Sequence, residues 1–482
     1  MTSFLLAFGV AACGAGDVST PDENVASAQA AVTDDVLAGL ASIPGLTVVS
    51  EKPSTIPGTR FFVLGFDQPA DHHDPQGPRF TQEIALLHRS FDAPMSMLTG
   101  GYSVSTRRAV ENEPTTVLGA NQIYIEHRYF GESVPPGPPY EHLDIEQAAS
   151  DIHRIVQALR PLYTGRWISN GNSKGGMTSI YHRYYYPDDV DGTVAYVSPS
   201  TYSDSDPRYV TFIRQVGDAE IRARLIAYQR ELLVRRDRLV PKMVEETALW
   251  GLTYDVVGAD RAFEFGVLEA SFFFWQLCPR DICEPLLPAP DASDAELLDF
   301  YINWIGAPFN YDDATINEFY GPYFYQSATQ LGHPRFDEAP LQDLLRYPGQ
   351  DLARNLTPVP VTIPFSHGLM AQIEARTRVH GERMLFIYGE NDPWSTNKFE
   401  AKAQNDAFQY VVAGGAHNVR IADLPEGERL HALSRIFEWA DVPFDPALAR
   451  TAAPVAPEVT LDAEPAEDEG PATLLRLRLP PR

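Results

Sequence analysis

Two patterns of apolar and polar positions divide the chain. Runs of strand length at Leu46 to Lys52, Arg60 to Gln68 and Phe80 to Arg89, with Pro- and His-containing turns between them, predict an antiparallel start to a sheet. Met95 to Leu98, Gln122 to Glu126, Arg166 to Ser169, Gly192 to Val197, Arg383 to Tyr388 and Phe408 to Ala413 read as further strands. Between them, Asp144 to Leu159 repeats Ile145, Ala148, Ala149, Ile152, Ile155, Val156 and Leu159 at helical spacing, and Glu428 to Ala440 is amphipathic in the same way. From about Ser203 to Pro364 the strand pattern stops. Charged helix-period runs (Asp218 to Val240, Pro241 to Leu252) and aromatic-rich ones (Phe263 to Leu277, Phe319 to Tyr325) replace it until Met384. That block predicts a helical lid inserted between two core strands.

The chemistry is written where strands end. Gly171-Asn172-Ser173-Lys174-Gly175 fits the G-x-S-x-G elbow, in which a strand turns sharply into a helix and exposes the serine hydroxyl. Gly176 adds another small residue where that helix packs on the sheet. The motif alone is weak in a chain with 33 glycines. It gains force from Asp392 and His417, which sit just past the strands Arg383 to Tyr388 and Phe408 to Ala413, in the order Ser, Asp, His. Taken singly, the aspartate reads as a turn residue before Pro393 and the histidine as a surface group; taken together, they read as acid and base. Met95 to Leu98 runs into Thr99-Gly100-Gly101-Tyr102, so the backbone amides of Tyr102 and Lys174 are the expected oxyanion donors. The bland alternative for the first is a plain Gly-Gly turn. Glu126 to Ser133 (EHRYFGES) is expected to form a polar network beneath the site, with the Lys174 side chain paired to one of its acids; a solvated loop is the equal alternative. His72-His73-Asp74 reads as a solvated loop, and no metal site is expected.

These elements predict an α/β fold of the α/β-hydrolase type, with a mostly parallel central sheet and an inserted helical cap. The expected organisation is a signal segment at 1–12, a tether at 13–33, core at 34–202, cap at 203–364, core again at 365–445 and a Pro/Ala/Glu-rich tail at 446–482. Within that tail, Leu474 to Leu479 could add an edge strand. A net charge of −27 excludes a nucleic-acid partner and charge-driven binding to anionic membranes. The apolar run Phe4 to Ala12 is too short to span a bilayer and suits an export signal. Val10-Ala11-Ala12-Cys13 resembles the lipobox of bacterial lipoproteins, which makes Cys13 the expected lipid carrier, although Met1 to Phe4 lacks the usual Lys or Arg. Membrane attachment is therefore expected only through an N-terminal lipid; export as a soluble protein is the first alternative and a cytoplasmic protein the second. Cys278 and Cys283 are an even pair expected to form a disulfide in an oxidising compartment.

The segments EHRYFGES, GNSKGGMTS (Gly171 to Ser179), DGTVAYVSPS (Asp191 to Ser200), FFFWQ (Phe272 to Gln276), GENDPW and GGAHN together resemble the secreted tripeptidyl aminopeptidases of bacteria. Those in turn are similar to lysosomal prolyl carboxypeptidase and dipeptidyl peptidase II. The matches run from about Thr47 to Trp439. The resemblance implies a capped α/β-hydrolase serine peptidase that releases short peptides from free N-termini, often with proline near the cut, and that uses Ser173, Asp392 and His417 without a cofactor. An exopeptidase needs a carboxylate to pair with the N-terminal ammonium inside a closed cavity. Glu269 is the candidate; the alternative is a solvent-facing helix glutamate. Phe274, Trp275 and Tyr323 are candidates for an apolar pocket, although aromatic residues in a lid more often form core. Two other functions stay open: a carboxylesterase or lipase with the same triad, and a non-catalytic lipoprotein that keeps the fold for binding. Oligomeric state is not legible.

Overall fold

A computed structural model describes residues 36 to 446 of the chain, apart from 278 and 279. The expected signal segment, tether, Cys13, Cys278 and the Leu474 to Leu479 strand lie outside the described residues. The strands are β1 (Leu46–Lys52), β2 (Arg60–Pro69), β3 (Arg79–His88), β4 (Met95–Thr99), β5 (Asn121–Ile125), β6 (Trp167–Asn172), β7 (Gly192–Tyr196), β8 (Met384–Gly389) and β9 (Ala407–Val412). They form one sheet in the order β1-β2-β3-β5-β4-β6-β7-β8-β9. The three N-terminal strands pair antiparallel, β3 pairs antiparallel with β5, and every pairing from β5 to β9 is parallel. β6 therefore lies between β4 and β7 in the parallel part. All the loops expected to carry chemistry leave the carboxyl ends of parallel strands, where open α/β sheets bind ligands.

Helices cover the sheet because their apolar stripes demand it. Helix α1 (Ile145–Leu159) starts where the Asp144 side chain accepts a hydrogen bond from the Gln147 amide at 2.8 Å. Its Ile152, Ile155, Val156 and Leu159 are buried in one cluster with Phe62, Leu64, Met97 and Ile123 of the sheet. Burying each such side chain contributes about 1.5–3 kcal/mol. Helix α2 (Lys174–Tyr185) follows the elbow directly.

Between β7 and β8 the chain is helical, as expected, and has its own apolar core. Its principal helices are α3 (Ala219–Val234), α4 (Arg236–Ala248) and α5 (Ala259–Leu277). The break between the first two falls at Arg235, not at the Val240–Pro241 junction that the sequence pattern suggested. The Arg235 guanidinium donates to the carbonyls of Pro290 and Ala292, at 2.9 and 2.6 Å, which fixes the corner; Pro241 is carried inside α4. Phe300–Trp304, Thr315–Phe319 and Ser327–Leu331 are wide π-helical turns, a geometry that tends to occur at functional sites. Cys283 is buried and disulfide-bonded. The chain closes with α6 (Glu426–Trp439), which packs through Leu433 and Ile436 against the β8–β9 end of the sheet. Among the described residues, no helix is long and apolar enough to cross a membrane.

Candidate active site

Ser173 follows β6 with φ 53° and ψ −125°, a backbone region that side chains rarely occupy. The turn closes because its neighbours are glycines. A Cβ on Gly175 would lie 2.4 Å from the Thr99 carbonyl oxygen, and one on Gly176 would lie 2.0 Å from Ser198 Oγ. The half-buried Ser173 hydroxyl makes no hydrogen bond among the described residues. Hydrolase sites without substrate often leave the contact between nucleophile and base this open.

The expected acid and base are in contact. His417 Nδ1 and Asp392 Oδ1 are 3.0 Å apart, with the carboxylate fully buried. Asp392 Oδ1 also accepts from the Trp394 amide at 3.2 Å, and Oδ2 from the Ser395 hydroxyl at 2.7 Å, so the ring faces a fixed acceptor. The His417 amide donates to the Gln276 carbonyl of α5 at 3.1 Å, which ties the base loop to the cap. Gln276 and Trp394, which flank His417, both line the cavity that Ser173 opens into.

The loop after β4 reaches the elbow through Gly101, which has φ 78°; a Cβ there would lie 2.7 Å from the Gly175 amide nitrogen. Tyr102 thus follows a residue packed on the Lys174–Gly175 peptide. The Lys174 side chain departs from expectation. Its amine pairs with no acid of the Glu126 network; it donates to the Gly101 carbonyl and lies 4.8 Å and 5.3 Å from the ring centres of Phe130 and Tyr102. Burial holds its pKa well below the usual lysine range, which suits a group surrounded by aromatic rings and a carbonyl.

The expected polar network is present. Glu126 accepts from the amides of Val104, Glu132 and Ser133, each at 3.0 Å, and from the Ser133 hydroxyl at 2.6 Å. It thereby joins the Tyr102 loop to the segment at 129–133. Beside it, buried Arg128 grips both oxygens of buried Asp151 at 2.7 Å. His72 also binds Asp151, at 2.7 Å, so it belongs to this network and not to a solvated loop. Glu126→Gln should turn an amide NH2 toward backbone donors. The expected loss is about 1–3 kcal/mol in denaturant unfolding, together with slower turnover from a loosened Tyr102 loop.

The cavity above Ser173 measures about 1000 Å³ counted to its open mouth, the scale of ligand clefts. From α5 it is lined by Glu269, Phe272, Phe273, Gln276 and Leu277, which recur at i, i+3, i+4, i+7 and i+8 and so occupy one helix face. Phe274 and Trp275 point away from it. They are 0% and 2% exposed within the cap's own core, with Trp275 packed over Gly217. The proposed pocket thus changes occupants to Phe272 and Phe273, which that same spacing around Glu269 already marks. Tyr323 does line the cavity, as do Phe336 and Trp394. Phe272 meets Trp394 edge-on at 5.2 Å and Phe336 at 5.6 Å.

Glu269 lines the cavity and does not face solvent from the helix; it is 8% exposed. Burial pushes its carboxyl up to about 8, opposed by the neighbouring Tyr311 hydroxyl. Ser395, Phe272, Phe273 and Trp394 are absent from the site expected on sequence, although GENDPW ends in Trp394, two residues after Asp392. Among the described residues, no group of His, Cys, Asp and Glu is arranged to hold a metal.

A family model described as PS-10 peptidase S37 matches residues 28–469. The chain is 40% identical over 439 residues to the prolyl tri/tetrapeptidyl aminopeptidase of Streptomyces mobaraensis, covering 90% of each chain. It is 34% identical over 93 residues to the lysosomal Pro-X carboxypeptidase of Homo sapiens, covering 17% of this chain and 19% of that one. Among solved structures it is similar to acetyl xylan esterase 1 from Thermoanaerobacterium sp. JW/SL YS485, at 11% identity and a TM-score of 0.35, covering 84% of this chain and 92% of that one. It is also similar to the proline iminopeptidase of Mycobacterium smegmatis, at 14% identity and a TM-score of 0.33, covering 81% and 99%.

Proposed function

The chain belongs to the PS-10 peptidase S37 family, and on that premise we propose that it is a serine exopeptidase releasing tri- or tetrapeptides that end in proline from free N-termini. The observation that carries this reading is a single cavity bounded by the elbow serine at one place and a buried carboxyl, Glu269, at another. A site that must count residues from an amino terminus needs both.

In the proposed cycle, Ser173 attacks the carbonyl at the scissile bond while His417 takes its proton, with Asp392 holding the imidazole and stabilising its protonated form. The developing oxyanion is met by the amides of Lys174 and Tyr102, which are carried by two loops packed against each other at Gly101. His417 then passes its proton to the departing amine, leaving an acyl-enzyme on Ser173. Water releases the peptide by the reverse proton path. Phe272, Trp394 and Phe336 form an apolar corner beside His417 that fits a proline ring.

The test is product analysis by mass spectrometry on matched peptides. Unblocked peptides with proline at the third position should yield a free N-terminal tripeptide, and N-acetylation should reduce kcat/KM by about 100-fold or more, because a buried acid is left without its cation. Equal cleavage of acetylated and free peptides would reject the exopeptidase reading. Hydrolysis confined to acyl esters would favour an esterase.

A further inference from the structure

The Lys174 side chain is buried beside the nucleophile, yet the proposed cycle uses only its backbone amide. It is 2% exposed, and its amine donates to the Gly101 carbonyl between the rings of Phe130 and Tyr102, 4.8 and 5.3 Å from their centres. Holding so long a side chain in one buried position gives up most of its rotamer freedom. A methionine would fill the same aromatic niche with no polar group to satisfy. The amine calls for a reason beyond packing.

That reason lies in the peptide it grips. The Gly101 carbonyl and the Tyr102 amide belong to one peptide unit, and in a trans peptide the two point in opposite directions. A donor held on the carbonyl side therefore fixes where the N–H on the other side aims. It also polarises the unit and strengthens that N–H as a donor. The Tyr102 N–H makes no hydrogen bond among the described residues, and Tyr102, Ser173 and Lys174 line one cavity. That N–H is left available to the substrate.

The peptide needs holding. A Cβ at position 101 would lie 2.7 Å from the Gly175 amide nitrogen, so the close approach of the two loops demands glycine there. Glycine at φ 78° then offers little steric resistance to rotation of the following peptide plane. The neighbouring units are pinned by other groups. The Gly100 amide donates to the Ile125 carbonyl at 3.2 Å, and the Tyr102 carbonyl accepts from the His127 amide at 3.1 Å. Between these anchors, the Gly101–Tyr102 unit has one hydrogen bond among the described residues, the one from Lys174.

We propose that the Lys174 side chain is the positioning residue of the oxyanion hole, its amine holding the Gly101–Tyr102 peptide so that the Tyr102 N–H faces the oxygen of the scissile carbonyl. This inference rests on the serine-hydrolase cycle proposed above. One residue then serves both halves of the hole, one through its own amide and the other through its side chain. The amine acts through the peptide and not on the substrate. A neutral amine suits the task, because burial disfavours the charged form and the carbonyl needs only an N–H.

The experiment compares the full-length parent with Lys174→Met and Lys174→Ala on unblocked Ala-Ala-Pro p-nitroanilide. Both variants keep the backbone amide at 174, and methionine keeps the contact with the rings while removing the donor. Lys174→Met should lower kcat by about 100-fold, the lower end of what losing an oxyanion donor costs, with KM changed by less than about threefold. Lys174→Ala should fall at least as far, and n-butylamine should restore its kcat by about tenfold or more, beyond any effect on the parent. Butyronitrile, of similar size but without an N–H, should restore none. Melting curves check that the variants are folded; if methionine is not tolerated, rescue of the alanine variant decides. A folded variant with kcat within about threefold of the parent, or a loss confined to KM, would overturn the positioning role. So would rescue by the amine no greater than by the nitrile. A parent that cleaves acyl esters but not this peptide would instead reject the exopeptidase reading, and the same comparison on the ester would still decide the role of Lys174.

Discussion

Ser173→Ala should lose peptidase turnover by at least about 10⁴-fold while keeping the fold, because the proposed mechanism passes the acyl group through the Ser173 hydroxyl. Ser173→Gly should be equally inactive but more stable. The serine is held at φ 53° and ψ −125°, a conformation that costs a non-glycine residue about 1–3 kcal/mol. Glycine relieves most of that, and alanine none. Denaturant unfolding of the three proteins should therefore place Ser173→Gly about 1 kcal/mol or more above the other two, less whatever glycine's looser unfolded chain offsets. A glycine variant no more stable than the alanine one would mean that the elbow stores no strain.

The second large effect concerns Asp392. Asp392→Asn should lower kcat/KM by about 10³- to 10⁴-fold near neutral pH. The geometry also predicts how. Two N–H donors, from Trp394 and His417, converge on Oδ1, whereas Oδ2 meets only the Ser395 hydroxyl, which is able to accept as well as donate. The new amide should therefore turn its oxygen to the δ1 side and its NH2 toward Ser395. His417 then keeps its orientation and loses only the negative charge that stabilises its protonated form. Ser395→Ala combined with Asp392→Asn removes the acceptor for that NH2 and should lower activity further. Steady-state rates for the single and double variants check this; an unchanged rate in Asp392→Asn would contradict the role of the acid.

The sheet and the elbow were legible because each is encoded locally. A strand of continuous apolar residues, a following loop and a small-residue turn occupy a few adjacent positions at Trp167 to Gly176, and the same holds for the loops that carry Asp392 and His417. The pairing of those two is then a consequence of β8 and β9 being neighbours. The cap was legible only as helical. Phe274 and Trp275 belong to the same aromatic run as the pocket residues, but a helix presents one face, and the stripe through Glu269 selects Phe272 and Phe273. The helix break at Arg235 depends on carbonyls at Pro290 and Ala292, more than fifty residues ahead, and nothing local marks it. The Lys174 amine was expected beside an acid because buried charges need partners. Aromatic faces and a carbonyl serve a neutral amine instead.

The most direct test of the account is the site of covalent capture. A fluorophosphonate probe reacted with the folded protein should form one adduct, mapped by peptide mass spectrometry to Ser173, and the adduct should be lost in His417→Ala. An adduct at another serine, or a folded protein that stays unmodified, would contradict the assignment of Ser173 as the nucleophile served by His417.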